Sequence, residues 1–261
     1  MSLLSQLALR AIALTPYRLV HHANLARMRK GVHYQASPDA FIEHLRQVLH
    51  KGCIDCVFDV GGNDGAFAHT LRNEVKYRGL IISFEPLRSK HTLLARQAAH
   101  DPLWIIQPCA LGAAEGRAVL NIMDSDVFSS FLHPDHSHVG KYRDSNRIID
   151  KEEVTVRTLA NVYAEMAAMH NMRRCYLKID TQGFDLEVFR GALPIIERVP
   201  AMQTELSFLP IYHGAPRWQD GLRELAEHGY EPSWFAPVCF DEPLRIIESD
   251  CILTHPARMT A

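Results

Sequence analysis

Cys56-Val-Phe-Asp-Val-Gly-Gly-Asn-Asp-Gly65 is the stretch that decides how this chain folds. Cys56 to Val60 is a short apolar run carrying one acid, Asp59, and Gly61, Gly62 and Gly65 follow at once. A helical pattern then opens with Ala66, Phe67 and Leu71. Together these residues predict a buried strand, a tight glycine turn and a helix. Such a turn lets backbone approach a ligand closely and aims helix N–H groups at it. The spacing is Asp59-x-Gly61-x-x-x-Gly65. It departs from the dinucleotide pattern G-x-G-x-x-G, because the middle glycine falls at Gly62 rather than one place later.

One strand–helix–strand step further on, Gly79 to Phe84 forms a second apolar strand that ends in Glu85-Pro86. An acid at that tip is placed to accept hydrogen bonds from a ribose diol. The two tips together predict a cofactor with a ribose and a short tail.

Beyond this pair the alternation continues. A helix at about 88–99 leads to a third strand at about 103–110. Arg117–Met123 and Glu153–Arg157 predict two strands of a ribbon, separated by a polar stretch, 124–150, rich in His, Asp and Ser. A loop of that length inside a compact domain is often functional or mobile. Then come a helix near 158–170, a strand from Cys175 to Asp180, a helix from Phe184 to Arg190, a strand at about 199–206 and a helix at about 217–228. Two last strands, about 233–240 and 247–253, have few residues between them and predict an antiparallel hairpin. The fold class that follows is α/β: a Rossmann-like, doubly wound sheet of about seven strands, the last pair antiparallel. Ligands in such folds bind beyond the carboxyl ends of the strands.

Upstream, Ser37-Pro38-Asp39 starts a helix with Phe41, Ile42, Leu45, Val48 and Leu49 on one face, and Gly52 ends it. Residues 2–30 read as helical, broken or kinked at Pro16, with Arg18, Arg27, Arg29 and Lys30 making the second part basic. The expected division is an N-terminal helical extension over 1–52 and an α/β domain over 53–261.

The 261 residues are 47% hydrophobic and carry a net charge of −2, which favours neither nucleic acid nor an anionic membrane as partner. Arg10 interrupts the apolar start instead of preceding it, which argues against a signal peptide, and no apolar run reaches the ~18 residues of a transmembrane helix. The six cysteines are scattered, and Cys53-x-x-Cys56 has no matching second pair, so they are expected to be free, as in a reducing cytoplasm. His133, Asp135, His136 and His138 lie close together, but no partner stands at a zinc spacing, so exposed loop histidines are expected.

Asp59-Val-Gly-Gly-Asn-Asp-Gly65, Phe84-Glu85-Pro86, Ala110-Leu111-Gly112, Leu177-Lys-Ile-Asp180-Thr-Gln182-Gly183 and Glu205-Leu-Ser-Phe208 occur in one order. That set resembles the FkbM-type methyltransferases, class I enzymes dependent on S-adenosylmethionine, over about 55–255. The resemblance implies that Asp59, Gly61, Asn63 and Gly65 surround the methionine portion of the cofactor. It implies that Glu85 holds the ribose, that Ala110 and Leu111 lie at the adenine, and that Asp180 stands next to the transferring methyl. Ser129 and Ser130 resemble the family's serine pair in the loop over the cofactor. Two departures stand out: Thr158-Leu-Ala160 where the family often has Thr-Leu-Asp, and Asp180-Thr-Gln182-Gly183 where it often has Asp-x-Glu-Gly.

Attack by an alcohol on a sulfonium methyl calls for a proton acceptor within reach. Asp180, His213 and His138 are the candidates, in that order. The expected acceptor is a small molecule or glycan bearing the hydroxyl of a sugar, glycolipid or secondary metabolite. A homodimer is an assembly open to the chain. A runner-up mechanism binds magnesium between Asp180 and Glu205, although the loss of a carboxylate at Gln182 weakens it. An NAD-type oxidoreductase and an inactive binding protein on the same fold are the other rivals. Lys178, inside an apolar strand, should pair with an acid such as Asp180 or Glu205.

Overall fold

A computed structural model of the chain describes residues 38–242 and 244–259. The helices expected over 2–30 lie outside them. The described residues belong to one compact unit that begins at Ser37.

Helix α1 (Pro38–Lys51) leads into β1 (Cys56–Val60), whose five residues are all buried. After the glycine turn, α2 (Ala66–Thr70) runs on into a π turn over Leu71–Val75. Next come β2 (Leu80–Phe84), α3 (Arg88–Ala98) and β3 (Trp104–Gln107). After β4 (Ala110–Leu111) and β5 (Gly116–Met123), β6 covers Ile148–Arg157. Then α4 (Leu159–His170), β7 (Cys175–Ile179), α5 (Asp185–Ala192), β8 (Ala201–Ser207) and α6 (Trp218–Glu227) resume the alternation. The last strands are β9 (Glu231–Asp241) and β10 (Arg245–Thr254).

Seven strands form one sheet in the order β3-β2-β1-β7-β8-β10-β9. The first five lie parallel, and β10 inserts antiparallel between β8 and β9. This is the Rossmann-like doubly wound sheet with an antiparallel last pair. β1, β2 and β7 are buried along their whole length. That explains why they appear in sequence as unbroken apolar runs and not as alternating ones. One face packs Phe58, Leu177 and Met202 against Val162, Val188, Phe189 and Leu225 of α4, α5 and α6. The other packs Val57, Ile81 and Tyr176 against Leu45 and Leu49 of α1, Ala68 of α2 and Leu94 of α3. Helix α1 thus shares the core, and a division at residue 52 would cut it away from the domain it packs on.

Two elements differ from expectation. The strand expected over 103–110 splits at Pro108, which has no N–H to continue a ladder. The chain leaves the main sheet there, and β4 pairs with β6 instead. The expected ribbon is therefore a three-stranded sheet, β4-β6-β5. The long stretch 124–150 is fastened by its own contacts. Asp124 N–H donates to Arg147 O and Ser125 N–H to Ser145 O, both at 2.9 Å. Val139 is buried with Met123, Ile211, Tyr212 and Ile247.

Candidate active site

The glycine turn works by close approach. Gly61 has φ +79°, and a Cβ there would sit 2.0 Å from the Asp180 carbonyl oxygen. Only glycine lets the tips of β1 and β7 meet this closely. The Gly61 and Gly62 N–H groups both donate to Phe84 O, at 3.1 and 3.0 Å, which fixes the turn over the end of β2.

Beneath the turn a polar row crosses the sheet. Asp59 stands opposite both Ser83 and Lys178, and Lys178 stands opposite Gln203. Trp104 Nε1 donates to Ser83 Oγ at 2.9 Å, and Ser83 Oγ donates to Asp59 Oδ2 at 2.8 Å. Lys178 Nζ lies 3.3 Å from Asp59 Oδ1 and 3.5 Å from Asp180 Oδ2, and it donates to Gly61 O at 3.0 Å. Burial alone would pull this lysine down, but Asp180 and Asp59 more than offset it and hold its pKa above the ordinary lysine value. The pairing expected for Lys178 is therefore present with Asp180, and Asp59 joins it. Glu205 is engaged by Gln182 instead.

Above the row opens a cleft of about 640 Å³ at the carboxyl ends of the strands. Gly61, Asn63, Glu85, Ala110, Leu111, Ser129 and Asp180 line it. The structure thus brings most of the expected cofactor residues to one wall. Glu85 Oε2 accepts from Asn63 N–H and Oε1 from Leu87 N–H, each at 2.9 Å. Burial raises the Glu85 pKa, and those two backbone donors partly lower it again. Lys90 and Asp126 meet at 2.6 Å and tie α3 to the loop over this end of the cleft.

Other expected positions fall elsewhere. Asp59 is fully buried below the floor, because its place on the inward face of β1 aims it at Ser83 and Lys178. Gly65 opens α2 with φ +83° and packs towards Leu94 and Trp104. The Ser130 hydroxyl is buried and donates to Gln182 O at 2.7 Å, so it fastens the loop to the β7 tip; its neighbour Ser129 faces the cleft. His213 and His138 are exposed and do not line the cleft. His213 Nδ1 instead lies 3.5 Å from Asp135. His213 N–H donates to His133 O, which holds this histidine segment as an outer layer.

Gln182, read in sequence as a lost carboxylate, has a clear task. Its Nε2 donates to Asp180 Oδ1 and to Glu205 Oε2, both at 3.1 Å. Tyr212 OH lies 2.7 Å from Phe128 O and 2.9 Å from Gln182 Oε1, so its one proton serves two acceptors. The acid pair that magnesium would need is thus already bridged by an amide. Among the described residues no group of three or more His, Cys, Asp or Glu is arranged to hold a metal ion. The other departure, Ala160, concerns a helix start, where Thr158 Oγ1 accepts from Asn161 N–H and Glu115 accepts from Thr158 N–H.

Sequence reasoning missed Gln203, Glu248 and Asp250, which also line the cleft. A signal was present: Lys178/Asp180, Gln203/Glu205 and Glu248/Asp250 are polar pairs two residues apart, hence on one strand face. Burial raises Glu205 far above the usual carboxylate range, and the neighbouring Glu248 adds to the shift. Burial and the surrounding acids push Glu248 to about 8 and Asp250 to about 6.

Residues 59–232 match the family model described as the methyltransferase FkbM domain. The chain belongs to the FkbM methyltransferase family. No curated protein sequence matches the chain. Among solved structures it is similar to an FkbM methyltransferase from Methylobacillus flagellatus, at 14% identity and a TM-score of 0.49. The match covers 77% of this chain and 43% of that one, so the chain spans less than half of that relative's length. It is also similar to the magnesium protoporphyrin IX methyltransferase of Synechocystis with bound S-adenosylmethionine (7% identity, TM-score 0.43, covering 83% and 79%). A third is Aeropyrum pernix fibrillarin with natively bound S-adenosylmethionine (13%, 0.39, 80% and 74%). At these scores the likenesses bear on neither activity nor acceptor. Among the described residues no helix is long and apolar enough to cross a membrane.

Proposed function

We propose that this FkbM-family protein transfers a methyl group from S-adenosylmethionine to a hydroxyl of a small molecule or glycan, with Asp180 as the proton acceptor. The observation that carries the reading is the position of Asp180. Its side chain is 40% exposed, faces the cleft at the tip of β7, and is held from behind by Lys178 and from the side by Gln182. Two buried polar atoms of cleft-lining residues, Asn63 Oδ1 and Thr181 Oγ1, have no hydrogen-bond partner among the described residues. Together with Glu85 they suit a ligand rich in hydroxyls and amines.

When bound, S-adenosylmethionine supplies a methyl group made electrophilic by its sulfonium. The chain would hold the ribose with Glu85, the adenine against Ala110 and Leu111, and the methionine part against Gly61 and Asn63. An alcohol becomes nucleophilic as it loses its proton, and Asp180 is the cleft carboxylate fixed at the β7 tip to take it. Gln182 and Lys178 limit its rotation, which favours one attack geometry.

The test is calorimetric titration with S-adenosylhomocysteine, with NAD as control, followed by radiolabelled methyl transfer to a panel of sugars and polyols. Binding of the first ligand alone is expected. Asp180→Asn should retain that binding and lose transfer by roughly a hundredfold or more, whereas His213→Ala should retain both. Full turnover by Asp180→Asn would refute the assignment.

A further inference from the structure

The far end of the cleft is acidic, and no cofactor role claims it. Glu205 on β8 stands directly opposite Asp250 on β10, and Glu248 follows on the same face of β10. All three line the cleft. Strands lie ~4.8 Å apart, so β8 and β10 stand roughly 10–15 Å across the sheet from β1, away from Glu85 on its other side. Asp250 Oδ1 accepts from Gln203 Nε2 at 3.2 Å, and Glu205 accepts from Gln182. Glu248 differs. It is 6% exposed, and its carboxyl has no hydrogen-bond or ion-pair partner among the described residues. Its carboxyl opens to the cleft, where water or a ligand supplies its hydrogen bonds.

The surrounding charges narrow what that ligand is. Lys178 already serves Asp59, Asp180 and Gly61 O. Lys141 donates to Phe240 O and lies over the Tyr142 ring. After burial, Asp180, Asp185 and Asp250 raise the Glu248 pKa further, and Lys141 opposes them only in part. An anionic acceptor would be repelled here, whereas a cation would favour ionisation of acids whose pKa values burial and mutual repulsion raise. An ammonium supplies three donors and a positive charge in one group. Tyr142 and Val238, on the same stretch of wall, offer carbon surface beside it.

We propose that Glu205, Glu248 and Asp250 form an ammonium subsite, so that the acceptor is an amino alcohol or amino sugar methylated on a hydroxyl near its amine. The proposal deepens the methyltransferase reading and rests on it.

The experiment uses the full chain saturated with S-adenosylhomocysteine and titrates glucosamine, glucose and glucuronate. Glucosamine is expected to bind roughly tenfold or more tightly than glucose, with glucuronate weakest. Glu248→Gln should lower glucosamine affinity by about tenfold and leave S-adenosylhomocysteine affinity unchanged, with Asp250→Asn as the second variant. Equal affinity for glucosamine and glucose, no binding of glucosamine, or displacement of glucosamine by magnesium ions would overturn the subsite. Loss of S-adenosylhomocysteine binding alone would instead count against the methyl donor, since the sugar comparison can be made without it.

Discussion

Lys178→Met should destabilise the protein through a residue it leaves intact. The Lys178 side chain is 7% exposed and that of Asp59 is fully buried. Without the ammonium, Asp59 keeps Ser83 as its hydrogen-bond donor and Oδ1 faces a methionine. Removing one partner of a buried ion pair costs about 3–5 kcal/mol, because the other charge stays buried and uncompensated. The contact with half-exposed Asp180 adds only about 0–1 kcal/mol. Against a typical total stability of about 5–15 kcal/mol, roughly a fifth or more would be lost. The double variant Asp59→Asn with Lys178→Met removes the stranded charge and should recover all but about 1–2 kcal/mol. Urea unfolding at neutral pH of the two single variants and the double one gives the coupling energy directly. The same proteins should also bind S-adenosylhomocysteine more weakly, because Lys178 holds the Gly61 carbonyl that shapes the turn. A single-variant cost below about 1 kcal/mol, or a double variant no more stable than Lys178→Met, would refute the reasoning.

Three further outcomes are expected. Glu85→Gln replaces one of two acceptor oxygens by an amide that faces a backbone N–H, so S-adenosylhomocysteine affinity should fall about tenfold or more by calorimetry; an unchanged value would remove Glu85 from the ribose. Asp185 is pushed to about 7, Glu248 to about 8 and Asp250 to about 6, each above an unfolded value of about 4, so the folded state binds the extra protons. Stability from these groups is complete at acid pH and is lost as pH rises through about 6 to 8, so Tm at pH 6 should exceed Tm at pH 8, and a flat or reversed trend would contradict it. Turnover should survive excess chelator, since the Gln182 amide spends both its protons between Asp180 and Glu205; loss of turnover restored by magnesium would reverse that conclusion.

The strands were legible because a parallel sheet buried on both faces writes itself as short apolar runs, as Cys56–Val60 and Leu80–Phe84 do. Glu85 and Asp180 were legible because every parallel strand delivers its last residues to the same edge, where ligands bind. The same rule misled at the other end. β10 runs antiparallel, so its beginning reaches the cleft, and Glu248 and Asp250 were hidden by a search confined to strand ends. Asp59 was misplaced for a different reason. A motif gives a residue's position along a strand; one residue short of the end of β1, Asp59 stands level with Ser83 and Lys178 in the neighbouring strands and bonds to them. Chemical aptitude carries no address: His213 and His138 can accept protons, yet nothing in their spacing relates them to the cleft, and in the fold they stand exposed outside its lining.

Gln182 shows how far a departure from a family pattern can be read. In sequence, a glutamine where a glutamate is frequent looks like a loss. In the fold, Gln182 sits at φ 53° ahead of Gly183 at φ 90°, and its amide reaches both acids. A carboxylate here would put a third acid between Asp180 and Glu205 and offer neither of them the N–H donors that the amide supplies. The amide brings two donors instead and is neutral. Asp180 is thus held at the tip of β7 by Gln182 and Lys178. Glu248 takes no bond from that amide and is the acid that the proposed ammonium would meet.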